Sequence, residues 1–258
     1  MRKPAVAGKF YPNSKKKLKQ DIKKYAGNNL SKKAKAAVSP HAGYIYSGKT
    51  AVKSIASLKE ASNYVILGPN HHGIGSGIAL SDQDWETPLG QVEVNKEISE
   101  RLRDIGVFDE RAHKREHSIE VQVPILQYFF DDFQIIPICM SIQDEETTKK
   151  LGERLAEISE ERDISIVASS DFTHYQPLEI AKRQDMEARK KIEELDVKGF
   201  YDLIRQNNLS ICGYGPIATL MNYSKKLGLE SEFIEYSTSA DQTGDESQVV
   251  GYVSMCFK

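Results

Sequence analysis

Three short runs of apolar and small residues constrain this chain most: Ala36-Ala37-Val38-Ser39, Tyr64-Val65-Ile66-Leu67 and Ile164-Ser165-Ile166-Val167-Ala168. A strand with one solvated face alternates apolar and polar residues. These runs do not, so they read as strands buried on both faces. Pro40 halts the first and Gly68-Pro69 ends the second. Helices are predicted over 14–26, where Leu18, Ile22 and Tyr25 recur at three-to-four spacing, and over Gly48–Leu58, His117–Phe130, Glu145–Glu160, 178–194, 197–206 and 215–227. Further strands are predicted over Gln134–Cys139, 232–237 and 248–256, with a strand pair across 77–94 turning near Asp82 and Gly90. Strands alternating with helices imply an α/β domain. Its central mixed, mostly parallel sheet is flanked by helices. No repeat, low-complexity tract or linker divides residues 1–258, so a single domain is expected.

Charge and composition narrow the function classes. The chain has 35 basic and 37 acidic residues, a net charge of -2, which gives no reason to expect a nucleic-acid partner. The basic runs Lys15-Lys16-Lys17 and Lys32-Lys33 read as solvated helix face or loop. The N-terminal residues lack the apolar stretch of a secretory signal, and no apolar run nears the roughly 20 residues that span a bilayer. Cys139, Cys212 and Cys256 are odd in number and widely spaced, so a reducing cytoplasm is expected and a disulfide framework is not.

Chemistry collects after the buried strands. The first leads into Pro40-His41-Ala42-Gly43, the second into Asn70-His71-His72-Gly73, the third into Ser170-Asp171-Phe172-Thr173-His174. In an open α/β sheet the carboxyl ends of the strands meet at one crevice, so these loops are expected to share a polar site. Taken singly, each histidine reads as a hydrogen-bonded loop residue, and Asp171 or Thr173 as a helix cap. Taken together, they suit a transition metal held by neutral imidazoles. Cys212, between Ile211 and Gly213 ahead of a predicted helix, is the candidate third ligand; its bland reading is a buried structural cysteine. His117 and Glu120, opening a predicted helix, read equally as a cap or as groups that orient ligands. Asp241–Asp245 reads as a structural turn.

These motifs resemble the Memo family, mediators of cell motility found in archaea, bacteria and eukaryotes. The resemblance runs nearly end to end. It takes in Ala7-Gly8-Lys9-Phe10-Tyr11-Pro12, Pro40-His41-Ala42-Gly43-Tyr44, Leu67-Gly68-Pro69-Asn70-His71-His72, Trp85-Glu86-Thr87-Pro88-Leu89-Gly90, Glu116-His117-Ser118-Ile119-Glu120, Ser169-Ser170-Asp171-Phe172-Thr173-His174-Tyr175 and Ile211-Cys212-Gly213. It implies a fold similar to the LigB-like class III extradiol dioxygenases, which hold non-haem Fe(II) with two histidines and a carboxylate. Carried onto this chain, the ligands are His41 and His71, with Cys212 where the dioxygenases have a carboxylate. His174 takes the acid/base position, with Asp171 to orient it, and His72 is a lesser candidate beside the site.

The resemblance also implies the cofactor: one transition metal ion, iron or copper, with zinc acceptable to the same ligands. Partners implied are a small molecule or peptide in the metal pocket and a radical SAM protein of the same pathway. A thiolate is softer than a carboxylate and itself oxidisable, so efficient catechol cleavage is not expected. The readings left open are a metal-dependent oxidoreductase, a non-catalytic metal-binding or peptide-binding protein, a zinc hydrolase, and a metal-free Cys212–His174 nucleophile.

Overall fold

The computed structural model describes residues 1–27 and 33–258; Lys32, of the basic pair, lies outside them. Helix α1 (Lys15–Ala26) precedes β1 (Ala36–Ser39), α2 (Tyr44–Ala56) and β2 (Asn63–Pro69). Short elements follow: β3 (Ile78–Leu80), β4 (Trp85–Thr87), β5 (Gly90–Val94), α3 (Lys96–Glu100), β6 (Val107–Phe108) and α4 (Glu110–His113). A 3-10 turn at Glu120–Gln122 leads into α5 (Val123–Phe129), then β7 (Gln134–Met140), α6 (Glu145–Glu161), β8 (Ile164–Ser169) and β9 (His174–Gln176). The last elements are α7 (Leu178–Glu193), α8 (Val197–Asn207), α9 (Tyr214–Leu227), β10 (Ser231–Thr238), α10 (Ala240–Thr243) and β11 (Val249–Phe257).

The principal strand order is β10-β11-β1-β8-β2-β7-β3-β6. Strands β1, β8, β2 and β7 run parallel in the middle, and β10, β11 and β3 add antiparallel pairings. Strands β1, β2 and β8 are buried along their whole length, as their uninterrupted apolar character requires. Alternate residues feed two cores. Val65, Leu67 and Ile166 pack with Leu151 and Leu155 of α6 and with Ile217 and Leu220 of α9. Tyr64, Ile66 and Val167 pack on the other face with Leu18, Val52, Ile55 and Ile125. Each such side chain contributes about 1.5–3 kcal/mol through burial. Among the described residues, no helix is long and apolar enough to cross a membrane.

The main departures from the sequence reading lie in the middle of the chain. The helix expected over His117–Phe130 is a 3-10 turn followed by α5, which starts only at Val123. Pro124 has no N–H to give to Glu120 O, so the turns before it cannot run on as one ladder; the Glu116 carboxylate caps the N–H groups of His117 and Ser118, at 2.9 Å each. The strand pair expected across 77–94 is three strands: β4 and β5 form the hairpin, while β3 leaves it to pair with β7. Helix α2 begins at Tyr44 rather than Gly48, its first N–H bonding Phe10 O at 2.7 Å. The Asp241–Asp245 turn includes the short helix α10.

Glu120 ties the N-terminal segment to this scaffold. Its buried carboxylate pairs with Arg2 at 2.7 Å and accepts the N–H groups of Ala5 and Val6, at 2.8 and 3.0 Å, and the Tyr11 hydroxyl at 2.7 Å. Arg2 in turn donates to the carbonyls of His113 and Glu116. Removing one member of a buried pair strands the other's charge. Glu120→Ala is therefore expected to destabilise the fold by about 3–5 kcal/mol, read by urea unfolding. A loss under 1 kcal/mol would mean that water replaces the carboxylate.

Candidate metal centre

The parallel strands deliver their loops to one end of the sheet. His41 follows β1, His71 follows β2, and Asp171 and His174 follow β8. Cys212 sits just ahead of α9. A ligand atom from each of His41, His71 and Cys212 lies within 4.8 Å of the other two. His41 Nε2 and Cys212 Sγ are 3.2 Å apart. Ligands at about 2.0–2.3 Å from one tetrahedral ion stand about 3.5 Å from each other, so this spacing suits a shared ion as well as an S–H···N hydrogen bond.

Hydrogen bonds fix which ring nitrogen of each histidine faces the others. The Ser169 hydroxyl has one proton and gives it to Ser118 O at 2.6 Å. It must therefore accept from its other neighbours, Gln122 Nε2 at 2.8 Å and His41 Nδ1 at 3.0 Å. That puts the His41 proton on Nδ1 and leaves the Nε2 lone pair facing Cys212. His71 Nδ1 donates to Glu116 Oε1 at 2.9 Å, leaving its Nε2 free as well. His174 Nδ1 faces the Ser210 carbonyl at 2.8 Å, with the same result. A histidine whose Nδ1–H is held by a carboxylate or carbonyl is the usual form of a metal-ligating imidazole. Burial, then the neighbouring His117 and His71, hold His41 well below the ordinary imidazole value, so it stays neutral. Two imidazoles and a thiol suit a transition ion.

The remaining candidates fall into place around this group. Asp171 Oδ1 accepts the N–H of His41 at 2.7 Å and of Ala42 at 3.3 Å. It thus holds the His41 loop, whereas His174 is oriented by Ser210. Burial pushes the Asp171 carboxyl up to about 6. The His117 ring stacks on His71 at 4.6 Å and meets His41 edge-on at 5.3 Å. His72 is exposed, its Nε2 3.1 Å from Arg115 O. Glu120 serves the N-terminal segment instead of the histidines.

Glu116, singled out by no functional reading of the sequence, is the carboxylate beside the ligands. It accepts both the N–H and the Nδ1–H of His71, at 2.7 and 2.9 Å, and lies 3.3 Å from His117 Nδ1. Burial alone would raise its carboxyl, but the His71 bond and charge and the N–H of Ser118 hold it well below the usual range. His71, Glu116 and His117 also meet the spacing of a metal site. Glu116 Oε1 already accepts three N–H donors and Oε2 one, so an ion in that trio would compete with the bonds that hold the loops.

The sequence model of Memo-like proteins matches residues 2–256. The chain belongs to the Memo family. MEMO1 family proteins of Methanosarcina mazei and Methanosarcina barkeri are 47% and 45% identical to it, covering 99% of this chain and 98% and 99% of their own. That of Archaeoglobus fulgidus is 46% identical over the full length of both. Among solved structures, an uncharacterized protein of Escherichia coli K12 matches with a TM-score of 0.60 over 86% of this chain and 99% of its own. At 13% identity that likeness concerns the fold alone.

In this Memo chain one glycine lets the cysteine loop reach the sheet. A Cβ on Gly213 would lie 2.5 Å from Ser169 O and 2.7 Å from Ser170 Cβ. Gly213→Ala is expected to cost about 1–3 kcal/mol and to loosen the Cys212 loop. Iodoacetamide, followed by peptide mapping of the metal-free protein, should label Cys212 faster in the variant. An unchanged rate would show that the loop absorbs the methyl.

Proposed function

We propose that this chain is a mononuclear transition-metal protein with His41, His71 and Cys212 as ligands, iron or copper as the ion, and oxidation–reduction as its chemistry in the cytoplasm. The observation that carries the reading is the preset donor group: two imidazoles with their Nδ1 protons engaged and a thiol whose sulfur lies 3.2 Å from one free Nε2. When bound, such an ion supplies Lewis-acid and redox chemistry. The three free cysteines suit a reducing compartment.

The chain's own residues supply the rest. His174, half-buried with its Nδ1–H on Ser210, offers Nε2 to take or return a proton from a bound molecule. Asp171 positions the His41 loop through two backbone N–H groups. His117, whose Nδ1 faces Glu116, presents a further imidazole stacked on His71 and edge-on to His41. Burial lowers it to about 4, so it acts as an acceptor at neutral pH.

Elemental analysis of freshly isolated protein with a redox titration tests the reading. One equivalent of iron or copper is expected in the wild type, with near-complete loss in His41→Ala and Cys212→Ser. His174→Ala is expected to retain the ion. Stoichiometric zinc would move the reading to hydrolysis, and an ion retained by Cys212→Ser would remove the thiolate from the ligand set.

Cys212 occupies the position that a carboxylate holds in ring-cleaving relatives of this fold, and its sulfur competes for oxidation. Protein reconstituted anaerobically with Fe(II) and offered catechols under O₂ is expected to give no rapid yellow ring-fission product. Rapid yellow colour would establish ring cleavage instead.

A further inference from the structure

Four residues other than glycine have positive φ among those described: Asp132, Tyr175, Leu195 and Asn208. Asn208 caps α8, Leu195 follows α7, and Asp132 lies in the turn between α5 and β7. At such helix ends and turns the left-handed conformation is common. Tyr175, at φ 58°, is different, because it lies inside strand β9. His174 pairs with Val250 and Gln176 with Val249, with a shift of register between them. Three residues of β9 therefore oppose two of β11, and Tyr175 is the extra residue of a β-bulge. The left-handed place in such a bulge is usually glycine's, because a Cβ there crowds the next carbonyl.

Tyr175 recovers little of that cost by packing, since it is 68% exposed. Its ring meets the edge of His174, with centroids 5.8 Å apart. The bulge follows directly on His174, which is bonded to Ser210, two residues before Cys212. Tyr46, in the first turn of α2 after the His41 loop, is a second exposed ring. Tyr252 is buried, its hydroxyl pushed well up by burial and then by Asp171, Tyr46 and Tyr175. A strained, exposed aromatic ring beside a site is a feature that folding alone does not reward.

We propose that Tyr175 is a ligand-positioning residue: the bulge holds its ring beside His174 as a wall against which a flat, π-faced molecule rests while its polar end reaches the His41–His71–Cys212 group. The proposal rests on the metal reading above. Aromatic rings select flat partners through offset stacking, so the site prefers such molecules over compact anions.

Tyr175→Asn and Tyr175→Phe test it, since asparagine tolerates the left-handed region and phenylalanine keeps the ring. Without metal, Tyr175→Asn is expected to melt at or up to about 2–4 °C above the wild type. Loaded anaerobically with Fe(II), it is expected to bind azide like the wild type but to bind 4-nitrocatechol about tenfold more weakly. Tyr175→Phe should bind both as the wild type does. A fall in melting temperature beyond about 4 °C in Tyr175→Asn would make the ring structural and overturn the proposal. Unchanged 4-nitrocatechol affinity alongside normal azide binding would overturn it and leave the metal reading standing. Wild-type protein that binds neither probe would overturn both.

Discussion

The buried carboxylate of Glu116 organises the working end of this molecule. It gathers backbone N–H groups from His71, His117 and Ser118 and a ring N–H from His71. Those backbone donors come from two loops that no strand pairing joins. Left without an acceptor, each buried N–H would cost about 1–3 kcal/mol. The same carboxylate caps the turn that precedes α5, taking N–H groups that have no acceptor within their own turn. It also sets the His71 tautomer and brings His117 against its ring. One residue thus caps a turn, fixes a loop path and sets the state of a metal-ligand candidate.

This junction is possible because the parallel sheet sends β1, β2 and β8 out at the same end and because glycine lets the loops close in. A Cβ on Gly68, at the end of β2, would meet Ser118 Oγ at 2.5 Å and Ile119 Cγ1 at 2.7 Å. The Glu116 segment can therefore lie directly on the strand that leads to His71. Gly213 plays the same part for the cysteine loop against the end of β8. Gln143, just beyond β7, completes the rim: its amide donates to Cys212 O at 3.1 Å and accepts the N–H of Gly215 at 2.7 Å. All four central strands thus contribute to holding the donor group.

Much of this was legible in the sequence. Uninterrupted apolar runs marked β1, β2 and β8, and the histidine after each pointed to the shared end. Cys212 stood out through its glycine flank, and the family resemblance chose His41 and His71 among six histidines. What stayed hidden was short or made by side chains. Strands β3, β6 and β9 have two or three residues, too few to show a period. Nothing local separated Glu116 from Glu120, four positions apart in one motif. Arg2 and the N-terminal N–H groups capture Glu120, while His71 captures Glu116, and both partners are remote in sequence. The bulge at Tyr175 was invisible because β9 itself was not foreseen and no glycine marks the left-handed position.

The cysteine's surroundings also weigh between the readings that the sequence left open. A nucleophilic cysteine needs its thiolate stabilised by a cation, a helix start or a charged partner. Here burial, and then the Asp171 carboxylate, push the Cys212 thiol well up, and the N–H of Asp171 at 3.3 Å from Sγ does not reverse it. In the absence of a cation, Cys212 is thus a protonated thiol at neutral pH, and its nearest imidazole, His41, is itself kept neutral. A Cys212–His174 nucleophile would need the opposite arrangement. A divalent ion among these groups inverts the balance, because it deprotonates a coordinating thiol outright and prefers neutral imidazoles. The features that disfavour a free thiolate, namely burial, a nearby carboxylate and uncharged histidines, are those that favour a cation between them.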